Sequence, residues 1–267
     1  MKAKELVIRF LKFAPVQIAV KGDPIGLQLG SLDAPVHKIM TTLDVRPKVV
    51  DEAIRRHVDF IFAHHPVMFH PARNLDLSVP QNRMYAKILR HHITVYAAHS
   101  NLDSANGGMN DWLADRIHLR NVQGLVPMGH YHHHSYFMGR IGTLKQPVSV
   151  LKFAKQCKRD FHVGGLRLVT QQPQKLIQRV AILGGSGDEF YPDAVKKGAQ
   201  VYVTGDVYYH TAHDMLAHGL SVVDPGHHIE AICIQHLAQL FEKWNRRYQW
   251  NVQIVTSDVN TDPFTFI

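Results

Sequence analysis

The sequence predicts an α/β fold, with two interlocked layers of helices packed on mainly parallel sheets. Three observations predict it. Short β-branched and aromatic runs, such as DFIFA at 59–63, alternate with stretches of helical spacing along a chain of 267 residues. No linker rich in Pro, Gly or Ser divides the chain. Several of the predicted strands run into His, Asp or Gly clusters, and in α/β sheets sites form beyond the carboxyl ends of strands.

In chain order, residues 1–15 (MKAKELVIRFLKFAP) have the charge and spacing of an amphipathic helix. A strand is expected over 36–43, a helix over 47–57 with Pro47 in its first turn, and a strand over 59–63. A helix over 81–92 and a strand over 93–97 follow, and helical spacing returns at 109–117. A second series reads strand at 135–141, helix at 147–158, and strands at 166–170 and 180–183. It continues with a helix at 189–197, a strand at 200–204, a helix at 208–218 and a strand at 220–223. A long helix over about 228–244 carries Ile229, Ile232, Cys233, His236, Leu237 and Leu240 along one face, and 252–255 closes as a strand. One layer is assigned to residues 1–125 with 225–267, and the second to 126–224.

Composition narrows the function classes. No apolar run reaches the roughly 18 residues of a membrane span. The N-terminal segment lacks the apolar core and small-residue cleavage site of a signal peptide. The two cysteines, Cys157 and Cys233, are too few for a disulfide framework and read as reduced thiols, so a cytoplasmic location is expected. Thirty Lys and Arg against 22 Asp and Glu give a net charge of +8. The sequence pI is near 9.5, which favours anionic partners such as nucleotides or nucleic acid. No block of five consecutive basic residues singles out nucleic acid from diffuse solubilising charge.

Twenty histidines are present, and their placement carries more than their number. His64 and His65 follow the strand at 59–63 and precede Pro66, which favours extended backbone. Two imidazoles there can approach one cleft and serve two ions, or one can be buried against the sheet while the other is solvated. The strand at 93–97 leads to His99 and, four residues on, Asp103. His99 can ligate or orient a ligand, and Asp103 can bind a cation or cap a turn. After the strand at 220–223 comes DPGHHIE, in which His227 and Glu230 are three apart and share a helical face, whereas His228 points elsewhere. Glu230 alone would also suit a helix N-terminus. Three strand ends with His and acid combinations make coincidence harder to defend.

Other motifs carry less. The tract GHYHHH at 129–134 reads as a solvated loop with adventitious metal affinity. The GGSG loop at 184–187 can cradle an anion or allow tight packing, and it lacks the Lys-Ser/Thr of a P-loop. His210 and His213 are not expected to be ligands, and Trp112, Trp244 and Trp250 read as packing residues.

The ordered motifs GLQLG (26–30), LDV (43–45), HHP (64–66), HSNLD (99–103), GRIG (139–142), GGSG (184–187), TGDV (204–207) and DPGHHIE (224–230) make the chain resemble the Ngg-interacting-factor-like family. Bacterial members are labelled GTP cyclohydrolase 1 type 2 homologs and dinuclear-metal hexameric proteins. The resemblance implies a two-metal centre at strand carboxyl ends between the layers, with His64, His65, Asp103, His227 and Glu230 as ligands. Many relatives place the glutamate four residues after the histidine. Here Ala231 holds that position and Glu230 comes at three, a spacing other relatives share. Some relatives also carry a large central insertion, which is not expected in this chain of 267 residues.

Such donors suit two divalent ions, Zn, Fe, Mn, Co or Ni. The family label implies hydrolytic opening of the guanine imidazole ring of GTP, although no guanine-reading NKxD segment is present. The alternative is a non-catalytic metal-binding or regulatory assembly. A homo-hexamer is implied as well.

Overall fold

The computed structural model describes all 267 residues. In chain order the elements are α1 (Ala3–Phe13), β1 (Gly26–Leu29), β2 (Lys38–Thr42), α2 (Pro47–Arg55), β3 (Phe60–Ala63), α3 (Pro80–Arg90), β4 (Thr94–Ala97) and α4 (Ser100–Ser104). There follow α5 (Met109–Arg116), β5 (Arg120–Tyr131), β6 (His134–Ser149), α6 (Val150–Asp160), β7 (Arg167–Val169), β8 (Leu176–Ser186) and α7 (Tyr191–Lys196). The chain ends with β9 (Val201–Gly205), α8 (Tyr209–Ala217), β10 (Ser221–Asp224), α9 (Ile232–Tyr248) and β11 (Gln253–Thr256). Short 3-10 turns span Val16–Ile18, Asp188–Phe190 and His227–Ala231. The chain forms two compact units, Met1–Leu102 with Cys233–Thr261 and Asp103–Ile232 with Asp262–Ile267.

The first unit holds a five-stranded sheet of order β1-β4-β3-β2-β11. β11, β2, β3 and β4 are parallel, and β1 is antiparallel on the edge beside β4. A parallel strand is covered on both faces, so β3 is buried throughout. Its side chains alternate. Ile61 and Ala63 join a core with Val49, Ile88 and Val95, under α2 and α3. Phe62 turns the other way, with its ring 4.7 Å from Phe10 of α1 and 4.9 Å from Phe241 of α9. Full burial of such a phenyl ring contributes roughly 1.5–3 kcal/mol. This unit also buries Glu52, which accepts from the Ser257 hydroxyl (2.6 Å), the Asp258 N–H (3.1 Å) and Arg56 (2.7 Å).

The second unit holds a six-stranded sheet of order β5-β6-β8-β9-β10-β7. β8, β9 and β10 are parallel, while the β5–β6 hairpin and β7 add antiparallel edges. Leu125, Ile141, Ala181, Tyr202, Met215 and Val222 pack in its core. The Tyr202 hydroxyl is satisfied by the Gly187 carbonyl at 2.7 Å. No helix of the protein is long and apolar enough to cross a membrane.

Several elements differ from the sequence expectation, among them the edge strand β1. β6 runs to Ser149, well past 141, and pairs with β5, a strand that the sequence reading leaves out. Pro127 and the glycines of β5 break its alternation, and the hairpin supplies the register instead. The tract at 129–134 is the end of this hairpin, with His132 and His133 at positive φ. The expected helix from 228 starts as a 3-10 turn and becomes α-helical only at Ile232. The segment enters that turn through Gly226 at φ 85°, a conformation that suits glycine.

Candidate functional site

In the first unit, His64 and His65 prolong β3. Their N–H groups donate to the Thr42 and Leu43 carbonyls at 3.2 and 3.0 Å, which continues the β2 pairing past the end of the strand. The two rings lie 4.9 Å apart, and His99, just beyond β4, brings a third ring to 5.2 Å from His64 and 5.6 Å from His65. One ring nitrogen from each of the three can be chosen so that all lie within 4.8 Å of one another. His64 and His65 are thus together, as the sequence suggests, and His99 joins them.

The second unit gathers Asp103, His227 and Glu230. His227 Nε2 lies 3.1 Å from Glu230 Oε2. In a 3-10 turn residues three apart eclipse, so the short spacing stacks this pair on one face. The contact is made by His227. Glu230 is buried and seated against the GGSG segment. A Cβ on Gly184 or Gly185 would come within 2.9 or 2.8 Å of Glu230 Oε1. The glycines make room for the carboxylate, so close packing is one role for this motif. Asp103 is also buried, and its carbonyl accepts from Asn110 (3.0 Å), whose own side-chain oxygen accepts the Gly184 N–H (3.0 Å).

A common device orients the histidines. Nδ1 of His64 meets the Ala98 carbonyl at 2.8 Å. Nδ1 of His65 meets Asp44 at 2.8 Å, that of His99 meets Asp23 at 2.9 Å, and that of His227 meets Asp206 at 2.6 Å. Carbonyls and carboxylates only accept, so each Nδ1 carries a proton and Nε2 is the nitrogen that would ligate an ion. Burial alone would raise the Asp23 carboxyl. The hydrogen bond and charge of His99, with bonds from the Ser100 hydroxyl and N–H, outweigh burial and hold it below its ordinary value. Burial likewise opposes ionisation of Asp44, but the bond and charge of His65, the Thr261 hydroxyl (2.6 Å) and Arg46 lower its pKa. Both therefore remain acceptors.

This chemistry fits divalent transition ions. The donors are imidazole Nε2 and carboxylate oxygen, each imidazole is oriented through its Nδ1–H, and several donors are buried. The histidines of the hairpin tip at 130–134, and His210 and His213, form no comparable group. Asp23, Asp44 and Asp206 carry no role in the sequence reading. The available signal was position, since Asp44 and Asp206 each directly follow a strand end or its flanking residue.

Comparison with known proteins agrees with this reading of the fold. A family profile described as Duf34/NIF3 (NGG1p interacting factor 3) matches residues 1–263. A "GTP cyclohydrolase 1 type 2 homolog" of Streptococcus pneumoniae is 41% identical over 270 residues, covering 100% of both chains. The protein of the same name from Bacillus subtilis is 30% identical and covers 100% of this chain and 99% of its own, over 370 aligned positions. It therefore contains an insertion that this chain lacks. Among solved structures, a Bacillus cereus protein related to NIF3 superposes with a TM-score of 0.94 at 28% identity, covering 100% of this chain and 99% of that one. Reduced HcgD from Methanocaldococcus jannaschii superposes with a TM-score of 0.78 at 29% identity, covering 97% and 98%. With a profile match over nearly its whole length, full-length relatives and the same two-sheet architecture, the chain belongs to the DUF34/NIF3 family.

Proposed function

We propose that the protein binds two divalent transition ions through His64, His65, Asp103, His227 and Glu230, and is a metal-dependent hydrolase acting on a nucleotide. The observation that carries this reading is the set of four imidazoles whose Nδ1–H groups are all committed to carbonyl or carboxylate acceptors. Histidines used only for packing need no such uniform orientation. Bound divalent ions would supply Lewis acidity, activating water and polarising an electrophilic centre. Asp44 and Asp206 hold two of the imidazoles in place, and the GGSG glycines leave the Glu230 carboxylate its seat. The nucleotide class follows from relatives named GTP cyclohydrolase 1 type 2 homolog and from the net charge of +8. The family resemblance further supports a homo-hexamer in the cytoplasm.

Metal analysis of protein purified without a His-tag should find about two ions per chain, as in other two-metal sites. The loaded protein should turn over GTP or a phosphoester above a His65→Ala control. Protein that stays metal-free after reconstitution overturns the reading. Stoichiometric metal without turnover leaves the non-catalytic, regulatory alternative. Light scattering that gives a monomer mass across micromolar concentrations rules out the hexamer.

A further inference from the structure

In the first unit, α1 and the end of α9 border a groove of about 270 Å³, lined by Glu5, Ile8, Arg9, Lys12, Tyr248 and Trp250. None of these residues belongs to the metal-ligand groups. The Arg9 guanidinium lies 5.2 Å from the centroid of Trp244 and 5.4 Å from that of Tyr248, within cation–π range of both. Its Nε is buried without a hydrogen-bond partner. Glu5, one turn earlier, accepts the Lys2 N–H at 2.8 Å. Arg247 adds a second cation 5.8 Å from the Tyr248 centroid, and Lys12 a third on the groove wall.

The other side of the groove is an aromatic platform. Trp250 stacks on Tyr248 with centroids 5.5 Å apart and planes inclined by 27°. Gln249 (φ 53°) and Asn251 (φ 52°), both left-handed, flank the indole. Asn245 fixes the turn by donating to the Val252 carbonyl at 2.7 Å and accepting the Trp250 N–H on its own carbonyl at 3.2 Å. A glutamine held at positive φ is a backbone cost that the surroundings must enforce. Here the enforced geometry keeps two rings stacked beside an arginine.

We propose that this groove binds a nucleoside monophosphate. The Tyr248–Trp250 pair stacks the base, and Arg9, with Lys12 and Arg247, takes the phosphate. A guanidinium pinned by aromatic rings presents its remaining N–H groups as a rigid fork suited to phosphate oxygens. A neutral apolar ligand would leave Arg9 and Lys12 of the lining with Glu5 as their single counter-charge, and inorganic phosphate alone would leave the rings uncovered. The volume lies just under the roughly 300–1,000 Å³ of ligand pockets, which suits a single base and one anionic group better than a polymer track. The assignment is independent of the metal reading.

The test titrates full-length protein, as purified, with 5′-AMP, adenosine and inorganic phosphate, read by calorimetry and tryptophan fluorescence. AMP should bind at least about tenfold tighter than either fragment, because stacking and charge act together. Arg9→Gln and Trp250→Ala should each weaken AMP about tenfold or more, Arg9→Lys should fall between, and His133→Ala should bind as wild type. Lys12→Gln, at the groove wall, carries the test if Arg9→Gln does not fold. AMP no tighter than phosphate, or wild-type binding by both Arg9→Gln and Trp250→Ala, would each overturn the proposal. So would binding of a single-stranded oligonucleotide by protein that ignores AMP.

Discussion

Substituting Gly185 by Ala should separate two properties that most site mutations confound. Gly185 has φ +66°, and an added Cβ would sit 2.8 Å from Glu230 Oε1 and 3.3 Å from His227 Nε2. Two costs follow. Placing an L-residue in the left-handed region costs about 1–2 kcal/mol. The carboxylate must also withdraw by roughly half an ångström to reach ordinary contact, against the ~0.2 Å tolerance of metal–ligand distances. Gly219 is the control. It has a similar φ of +71°, belongs to the same unit and has nothing within 4 Å of its added Cβ. Both alanine variants should therefore lose about 1–2 kcal/mol of stability without metal, read as a drop of a few degrees in Tm. Only Gly185→Ala should lose metal affinity, by about 10–100-fold, the range expected when a ligand's support is disturbed. Competition against a chromophoric chelator measures it. Wild-type affinity in Gly185→Ala, or equal loss in Gly219→Ala, would refute the claim that the GGSG segment exists to seat Glu230.

Further outcomes follow from the same contacts. Asp206→Asn and Asp44→Asn can offer an amide N–H where an acceptor is needed, so each should weaken metal binding about 10–100-fold with the fold retained by circular dichroism. Chelation should lower the Tm of the wild type, and the chelator effect should shrink in Glu230→Ala and stay unchanged in His133→Ala; the reverse pattern would move the site to the hairpin. For Glu52, burial opposes ionisation, but the Ser257, Asp258 and Arg56 contacts outweigh it and lower its pKa. Its stabilisation is therefore present above the ordinary carboxylate range, near pH 4.3, and is lost as pH falls through the depressed folded value. Glu52→Gln should cost about 1–3 kcal/mol at pH 7 and flatten the acid limb of stability, measured by urea melts from pH 7 to 3. An unchanged acid limb would show that other carboxylates control acid unfolding.

What the sequence determined by itself is local in origin. Residues 60–63 form a buried strand because an unbroken apolar, largely aromatic run suits a parallel strand covered on both faces, and β3 occupies Phe60–Ala63. The same logic holds for β2, β4, β9 and β10, and for the helices between them. It also put His64, His65, His99 and His227 at strand ends, where the backbone leaves the sheet and side chains can converge. Tertiary structure decided the rest. β1 and β5 carry no clear alternation and exist through their partners β4 and β6. The 3-10 turn at His227–Ala231 depends on the entry through Gly226, and spacing alone reads it as α-helix. Above all, the partners that set each imidazole lie far away in sequence. Asp23 is 76 residues from His99, while Asp44 and Asp206 are each 21 from the histidines they hold. A hydrogen bond acts over about 3 Å and is blind to chain separation. Only the folded path of the backbone could show which carboxylate meets which ring.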